Sequence, residues 1–219
     1  GPGPEHSAAR IERFLQLCAC DNMRVVQPSC AAQMFHLIRL QMLQHTRKPL
    51  VVFTPKSLLR NKSAASEMAE LSKGSFRPVI DDAQADPESV RRIVLCSGRV
   101  YYDVVKRHAE LGEEAARRNA VVRLEQLYPF PHEELKAVIE RYSNAEAITW
   151  CQDEPQNQGV WNYAKTRILT DMRRGMKLGY AGRPESPSPA VGYAGLHQHQ
   201  LKELLDAAFA PQKGFVLTA

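Results

Sequence analysis

From Arg91 onward the sequence alternates short apolar runs of strand character with amphipathic segments of helical period, and this alternation restricts the fold more than any other feature. RRIVLCSG reads as a strand, and YYDVVKRHAEL as a helix turning Val100, Val104, Val105 and Leu111 inward. AVVRLEQL is a strand, PHEELKAVIERY a helix opened by Pro131, and AITWCQDE a strand. VWNYAKTRILTDMRR is a helix ending at Gly175, and LHQHQLKELLDAAF closes the chain after the proline-rich loop GRPESPSPAVG. Strands and helices in such succession predict a mostly parallel sheet with helices on both faces, a three-layer α/β/α arrangement with right-handed crossovers.

The upstream part carries the same signals more weakly. Ile11, Phe14, Leu15 and Cys18 recur at i, i+3, i+4, i+7, which predicts a helix capped at His6 or Ser7. MRVVQP is a short strand, and Ser29 caps a helix to about Gln44 with Ala32, Phe35, Leu37, Ile38 and Met42 as its apolar positions. LVVFTP, bounded by Pro49 and Pro55, has the continuous apolar character of a strand covered on both faces. A short helix after Lys62 and a strand in FRPVI follow, no internal repeat is visible, and a single sheet core is expected.

Composition removes several classes. With 219 residues, 44% hydrophobic and 24% charged, the chain is neither disordered nor a disulfide scaffold. No apolar run approaches the ~18 residues a membrane helix needs. The opening GPGPEHSAAR carries no signal segment, and a motif arrives with no folded lead-in, so a piece of a longer chain is expected. The formal charge of +5 is uneven: residues 1–63 hold nine Lys/Arg against three Asp/Glu, and the remainder is nearly balanced. Arg47, Lys48, Lys56, Arg60 and Lys62 form a basic patch that suits another domain or an anionic effector such as a nucleotide. With one aromatic, Phe53, and no binding motif, nucleic acid is not expected there. Cys18, Cys20, Cys30, Cys96 and Cys151 fit neither zinc nor redox spacing, so reduced thiols and no metal site are expected.

Few residues invite chemistry on pattern alone. Gly98 is isolated after its strand, which excludes a dinucleotide fingerprint or a phosphate-binding loop. Asp153 and Glu154 end a strand, where an open α/β sheet can seat a catalytic carboxylate, but a solvated turn is the commoner fate and the one expected. His36 and His108 lie in helices as structural or surface residues, His45 sits at a helix end, and His197 and His199 face solvent. His6 differs: it precedes a helix start, where an imidazole can bond or protonate an anionic substrate near neutral pH, although on pattern alone a capping role is the commoner reading.

Five ordered blocks, GPEHSAARIERFLQLC, RKPLVVFTPKSLLRN, VVRLEQLYPFPHEEL, WCQDEPQNQG and YAGRPESPSPAVG, resemble the C-terminal part of the family of 2-oxoglutarate dehydrogenase decarboxylating components. The likeness covers nearly the whole chain; the leading GPG departs from it, and Ala8 replaces a second serine, which removes any role for a hydroxyl there. The resemblance implies a transketolase-like C-terminal domain with a five-stranded sheet, one strand antiparallel. It implies residues 1–20 as a segment bordering a missing pyrimidine-binding domain, and 21–219 as the C-terminal domain. It implies His6 as the catalytic and substrate-contacting residue, with Ser7 beside it. Thiamine diphosphate and Mg²⁺ would be held by upstream domains, so no cofactor is expected in this piece, which should be inactive alone. The implied partners are those upstream domains, a second copy in a homodimer, and the dihydrolipoyl succinyltransferase and dihydrolipoyl dehydrogenase components of a tricarboxylic acid cycle complex, without nucleic acid or membrane. A bacterial cytoplasmic setting is favoured over a mitochondrial matrix. A relative acting on 2-oxoadipate, and a non-catalytic nucleotide- or partner-binding α/β domain, are the alternatives.

Overall fold

A computed structural model describes residues 7–210 and 216–218. Its main body is a six-stranded sheet in the order β3-β5-β4-β7-β8-β9, built from β3 (Val79–Ile80), β4 (Arg92–Cys96), β5 (Asn119–Leu124), β7 (Ala147–Pro155), β8 (Lys177–Arg183) and β9 (Val216–Thr218). The four central strands are parallel, in register through Leu95 opposite both Val122 and Trp150, and the two edge strands run antiparallel. The three-layer class and the mostly parallel sheet therefore hold. The expected five strands with one antiparallel become six with two.

Side-chain alternation along β4 sorts the two faces. Ile93 and Leu95 pack with Trp150, Trp161, Leu135 and Ile168 beneath α6 (His132–Arg141) and α7 (Trp161–Asp171). Val94 and Cys96 pack with Val100, Val104, Leu204 and Ala208 beneath α4 (Val100–Ala109) and α8 (Ala194–Phe209). Both Cys96 and Cys151 are fully buried free thiols, with burial pushing Cys96 up to about 12, so they act as small hydrophobes as expected.

A second sheet was not foreseen. β1 (Arg24–Val26) pairs in parallel with β2 (Leu50–Val52) and antiparallel with β6 (Gln126–Tyr128), and a small cluster of Val26, Leu37 and Phe76 closes under it. β5 and β6 are separated by one residue, Glu125, where the chain leaves one sheet and enters the other. The run LVVFTP is thus not doubly covered: β2 is half-buried at the edge of the small sheet.

Local signals shifted in recognisable ways. α1 (Ile11–Gln16) begins after Arg10, which adopts left-handed backbone (φ 55°), so Ser7 does not cap it, and the alternative cap expected at His6 lies outside the described residues. α2 (Ala31–Leu43) follows Cys30, because the Ser29 hydroxyl is taken by Arg123 (2.9 Å) and its amide by Glu125 (2.7 Å). The short helices α3 (Met68–Ser72) and α5 (Glu113–Arg117) complete the chain.

Candidate functional site

Residues that end or follow three strands converge beside the N-terminal segment. Gln27 after β1, Phe53 after β2 and Glu154 in β7 line a cavity of about 60 Å³ together with Ser7, Arg10 and Gln158. The carboxyl ends of parallel strands are where open α/β sheets place their ligands. Ser7 is half-buried at the cavity wall, while Ala8 is exposed. His6 lies outside the described residues.

The wall is built by the block WCQDEPQNQG. Gln152 is buried and uses its whole amide: Oε1 accepts from Trp150 Nε1 and Trp161 N (both 2.9 Å), and Nε2 donates to the carbonyls of Pro155 (3.1 Å) and Gln158 (2.9 Å). Gly159 completes this turn at φ 69°, where a Cβ would stand 2.9 Å from that of Glu154. Across the cavity Gly98, at φ 68°, lets Gln27 approach so closely that a Cβ would meet its Nε2 at 2.4 Å. The Ser97 hydroxyl beside it donates to the Leu124 carbonyl (2.8 Å) and stands 2.9 Å from Gln27 Oε1. α1 is tied to the same wall: Arg10 donates to Gln158 Oε1 (2.7 Å), and the Gly159 amide donates to Glu12 (3.0 Å).

Asp153 and Glu154 do not form the solvated turn expected of them. Burial pushes the Asp153 carboxyl up, but Arg99 (2.8 Å) and Arg183 (2.8 Å) outweigh it and hold the group well below the usual carboxylate range. Arg183 is only 4% exposed and also donates to His197 Nδ1 (3.1 Å), so His197 is half-buried rather than solvent-facing, and both burial and that guanidinium lower its basicity. Glu154 is pushed the opposite way, to about 7, by burial and then by the Asp153 charge beside it. Two adjacent acids whose surroundings push them in opposite directions are the arrangement that acid–base chemistry uses.

Three other histidines are held by hydrogen bonds within the fold. His36 bonds the Glu70 carbonyl (2.8 Å), His108 bonds that of Ala116 (3.0 Å), and His132, not singled out in the sequence, bonds the buried carboxylate of Asp171 (2.8 Å). In the basic patch Lys48 pairs with Asp21, while Lys56, Arg60 and Lys62 are exposed without an ion pair among the described residues. Among the described residues no group of three or more His, Cys, Asp or Glu is placed to hold a metal, and no helix is long and apolar enough to cross a membrane.

Comparison with known proteins first gives the class. Residues 1–62 match the family described as transketolase, pyrimidine binding domain, and residues 65–209 match 2-oxoglutarate dehydrogenase C-terminal. The chain belongs to this second family. It is 58% identical over its whole length to the 2-oxoglutarate dehydrogenase E1 component of Cupriavidus necator, covering 23% of that protein. It is 50% identical to the component of the same name from Azotobacter vinelandii over 95% of the chain and 22% of the relative. The 2-oxoadipate dehydrogenase complex component E1 of Danio rerio is 44% identical over 96% of the chain and 24% of the relative. The chain thus spans under a quarter of the length of these relatives.

Proposed function

We propose that this chain is the C-terminal part of a thiamine-diphosphate-dependent 2-oxoglutarate dehydrogenase, the component that decarboxylates 2-oxoglutarate and passes the succinyl group to the lipoyl group of its succinyltransferase. The observation that carries this reading is the 58% identity to a 2-oxoglutarate dehydrogenase E1 component across the entire chain. In this reading His6 contacts the 2-oxo acid or its adduct, and Ser7 shares that contact at the cavity edge. The segment 1–20 is read as bordering the pyrimidine-binding unit, and the first family match supports counting residues up to 62 with that unit.

The cavity beside Ser7 does not itself fit a seat for the cofactor. A cavity of about 60 Å³ is far below the ~300–1,000 Å³ of small-molecule sites. The grip on thiamine diphosphate and Mg²⁺ is therefore assigned to the upstream domains, and no step is routed through either here. A homodimer, the dihydrolipoyl succinyltransferase and dihydrolipoyl dehydrogenase as partners, and a bacterial cytoplasmic setting complete the reading. The bacterial relatives at 58% and 50% identity support that setting.

Full-length protein supplied with thiamine diphosphate and Mg²⁺ is expected to reduce ferricyanide with 2-oxoglutarate, and the isolated chain is expected to do nothing. His6→Ala is expected to lower turnover by about a hundredfold or more with cofactor affinity nearly unchanged. Unchanged turnover removes His6 from the site. A preference for 2-oxoadipate in the same assay replaces the substrate with the one named for the 44% identical relative.

A further inference from the structure

A cleft of about 650 Å³ runs between α4 and α8, within the ~300–1,000 Å³ of small-molecule sites, and shares no lining residue with the cavity beside Ser7. Both helices begin at the same end of it. α4 follows β4 after Gly98 and Arg99; α8 starts beside Arg183 at the end of β8 and finishes where Arg92, at the start of β4, bonds the Phe209 carbonyl. The end of the cleft at Arg99, Gly192 and Ala194 therefore lies at the carboxyl ends of parallel strands, where α/β sheets receive ligands. The floor is apolar: Leu201 and Leu205 are half-buried and pack on the cluster beneath the two helices. The α4 side is charged. Arg99 is held by Asp103 (2.7 Å) and Asp153 (2.8 Å), and Arg107 by Asp206 (2.9 Å) and less closely by Glu110 (3.4 Å). Lys106 between them is exposed and has no ion pair or hydrogen bond among the described residues. On the α8 side His197 accepts from Arg183 at Nδ1 (3.1 Å), which puts its ring proton on Nε2, and the Gln198 amide is exposed one residue on.

We propose that this cleft binds a carboxylate that carries one negative charge and an apolar body, its headgroup at Lys106, His197 and Gln198 and its body over Leu201 and Leu205. The sign of the charge follows from the donors. Lys106 is the one lining cation that no carboxylate claims among the described residues, and the two helix starts add partial positive charge at the cleft's end. A cationic head meets both as repulsion. The single charge follows from the balance. Three cations and two carboxylates line the cleft, and with Arg183, Asp153 and Asp206 behind them four cations face four carboxylates. One negative charge is matched by Lys106, whereas a second meets Asp103 and Glu110 with no cation left for it. The apolar body follows from the floor, where covering Leu201 and Leu205 removes apolar surface from water. The assignment does not depend on the reaction proposed above.

The test uses full-length protein with labelled leucine methyl groups, and octanoate as the probe. Octanoate is expected to bind saturably and to move the Leu201 and Leu205 resonances. Sulfate, doubly charged and without an apolar body, and octylammonium, with the same body and the opposite charge, are expected to leave them in place at equal concentration. Lys106→Glu, a change at an exposed position, is expected to weaken octanoate at least about tenfold in calorimetry. Resonances that stay still in octanoate overturn the site, and this measurement needs no variant. Octylammonium or sulfate moving them as octanoate does overturns the assigned charge. Equal octanoate affinity in the Lys106→Glu protein means that the alkyl chain adsorbs by itself, and overturns the headgroup contact.

Discussion

Arg183 illustrates what single side chains do here. Its guanidinium is almost wholly enclosed, bonds both the carboxylate and the carbonyl of Asp153, and reaches Gln200 and His197 on α8. Truncating one partner of such a pair strands the other charge, so Arg183→Met is expected to cost about 3 kcal/mol in urea unfolding at neutral pH. Asp153 adds a pH dependence of known sign. Its folded value is depressed, so the folded chain binds fewer protons than the unfolded chain in acid. The stabilisation is complete above the unfolded value of ~3.9 and is lost as pH falls below it. Asp153→Asn is therefore expected to flatten the loss of thermal stability below about pH 4. At Gly98, positive φ and the Gln27 contact act together, and Gly98→Ala is expected to cost about 1–3 kcal/mol by the same measurement.

At the scale of elements, helices with two apolar faces defeated periodicity. In α2 the sequence offers Ala32, Phe35, Leu37, Ile38 and Met42, which surround much of the wheel. The fold buries Ala32, Gln33, His36 and Leu37, and leaves Phe35, Ile38, Met42 and Leu43 about half exposed or more. Gln33 could not be read as a core residue, because its burial depends on the carbonyl and amide of Arg77, 44 positions away. Leu37→Ala is expected to destabilise the chain by about 2–5 kcal/mol, whereas Ile38→Gln stays within about 0.5 kcal/mol, both read by chemical unfolding. β8 was missed for a related reason. KLGYAGR carries two glycines and a lysine, a poor strand on propensity, yet it lies beside β7 and beneath α8, where neighbours supply the packing.

For the whole molecule, the joint at Glu125 is the distinguishing feature. Its carboxylate is fully buried, accepts the Ser29 amide at 2.7 Å, and is raised chiefly by burial. The large sheet has a core on each face; the small sheet sends Val25 and Leu127 into one of those cores and Val26 into a separate cluster of three buried residues, while its edge strand β2 is only half-buried. Local stability follows such packing. Amides of β2 are expected to exchange hydrogen at least about tenfold faster than those of β4 and β7, a difference of about 1.4 kcal/mol that mass spectrometry on the chain can read.

The amino-acid order alone was enough for the three-layer class, three of the four central strands, the buried thiols Cys96 and Cys151 and, through five blocks, the family, because local periodicity and motif order need no knowledge of distant neighbours. The second sheet, β8, the sixth strand, the helix starts and the opposite shifts of Asp153 and Glu154 were decided only in three dimensions. Each depends on groups far apart in the chain: β6 reaching β1, Arg123 claiming Ser29, and Arg99 and Arg183 choosing one of two adjacent acids. A charge is felt through space over a few ångströms, and the chain cannot announce which of its charges will share that space until it has folded.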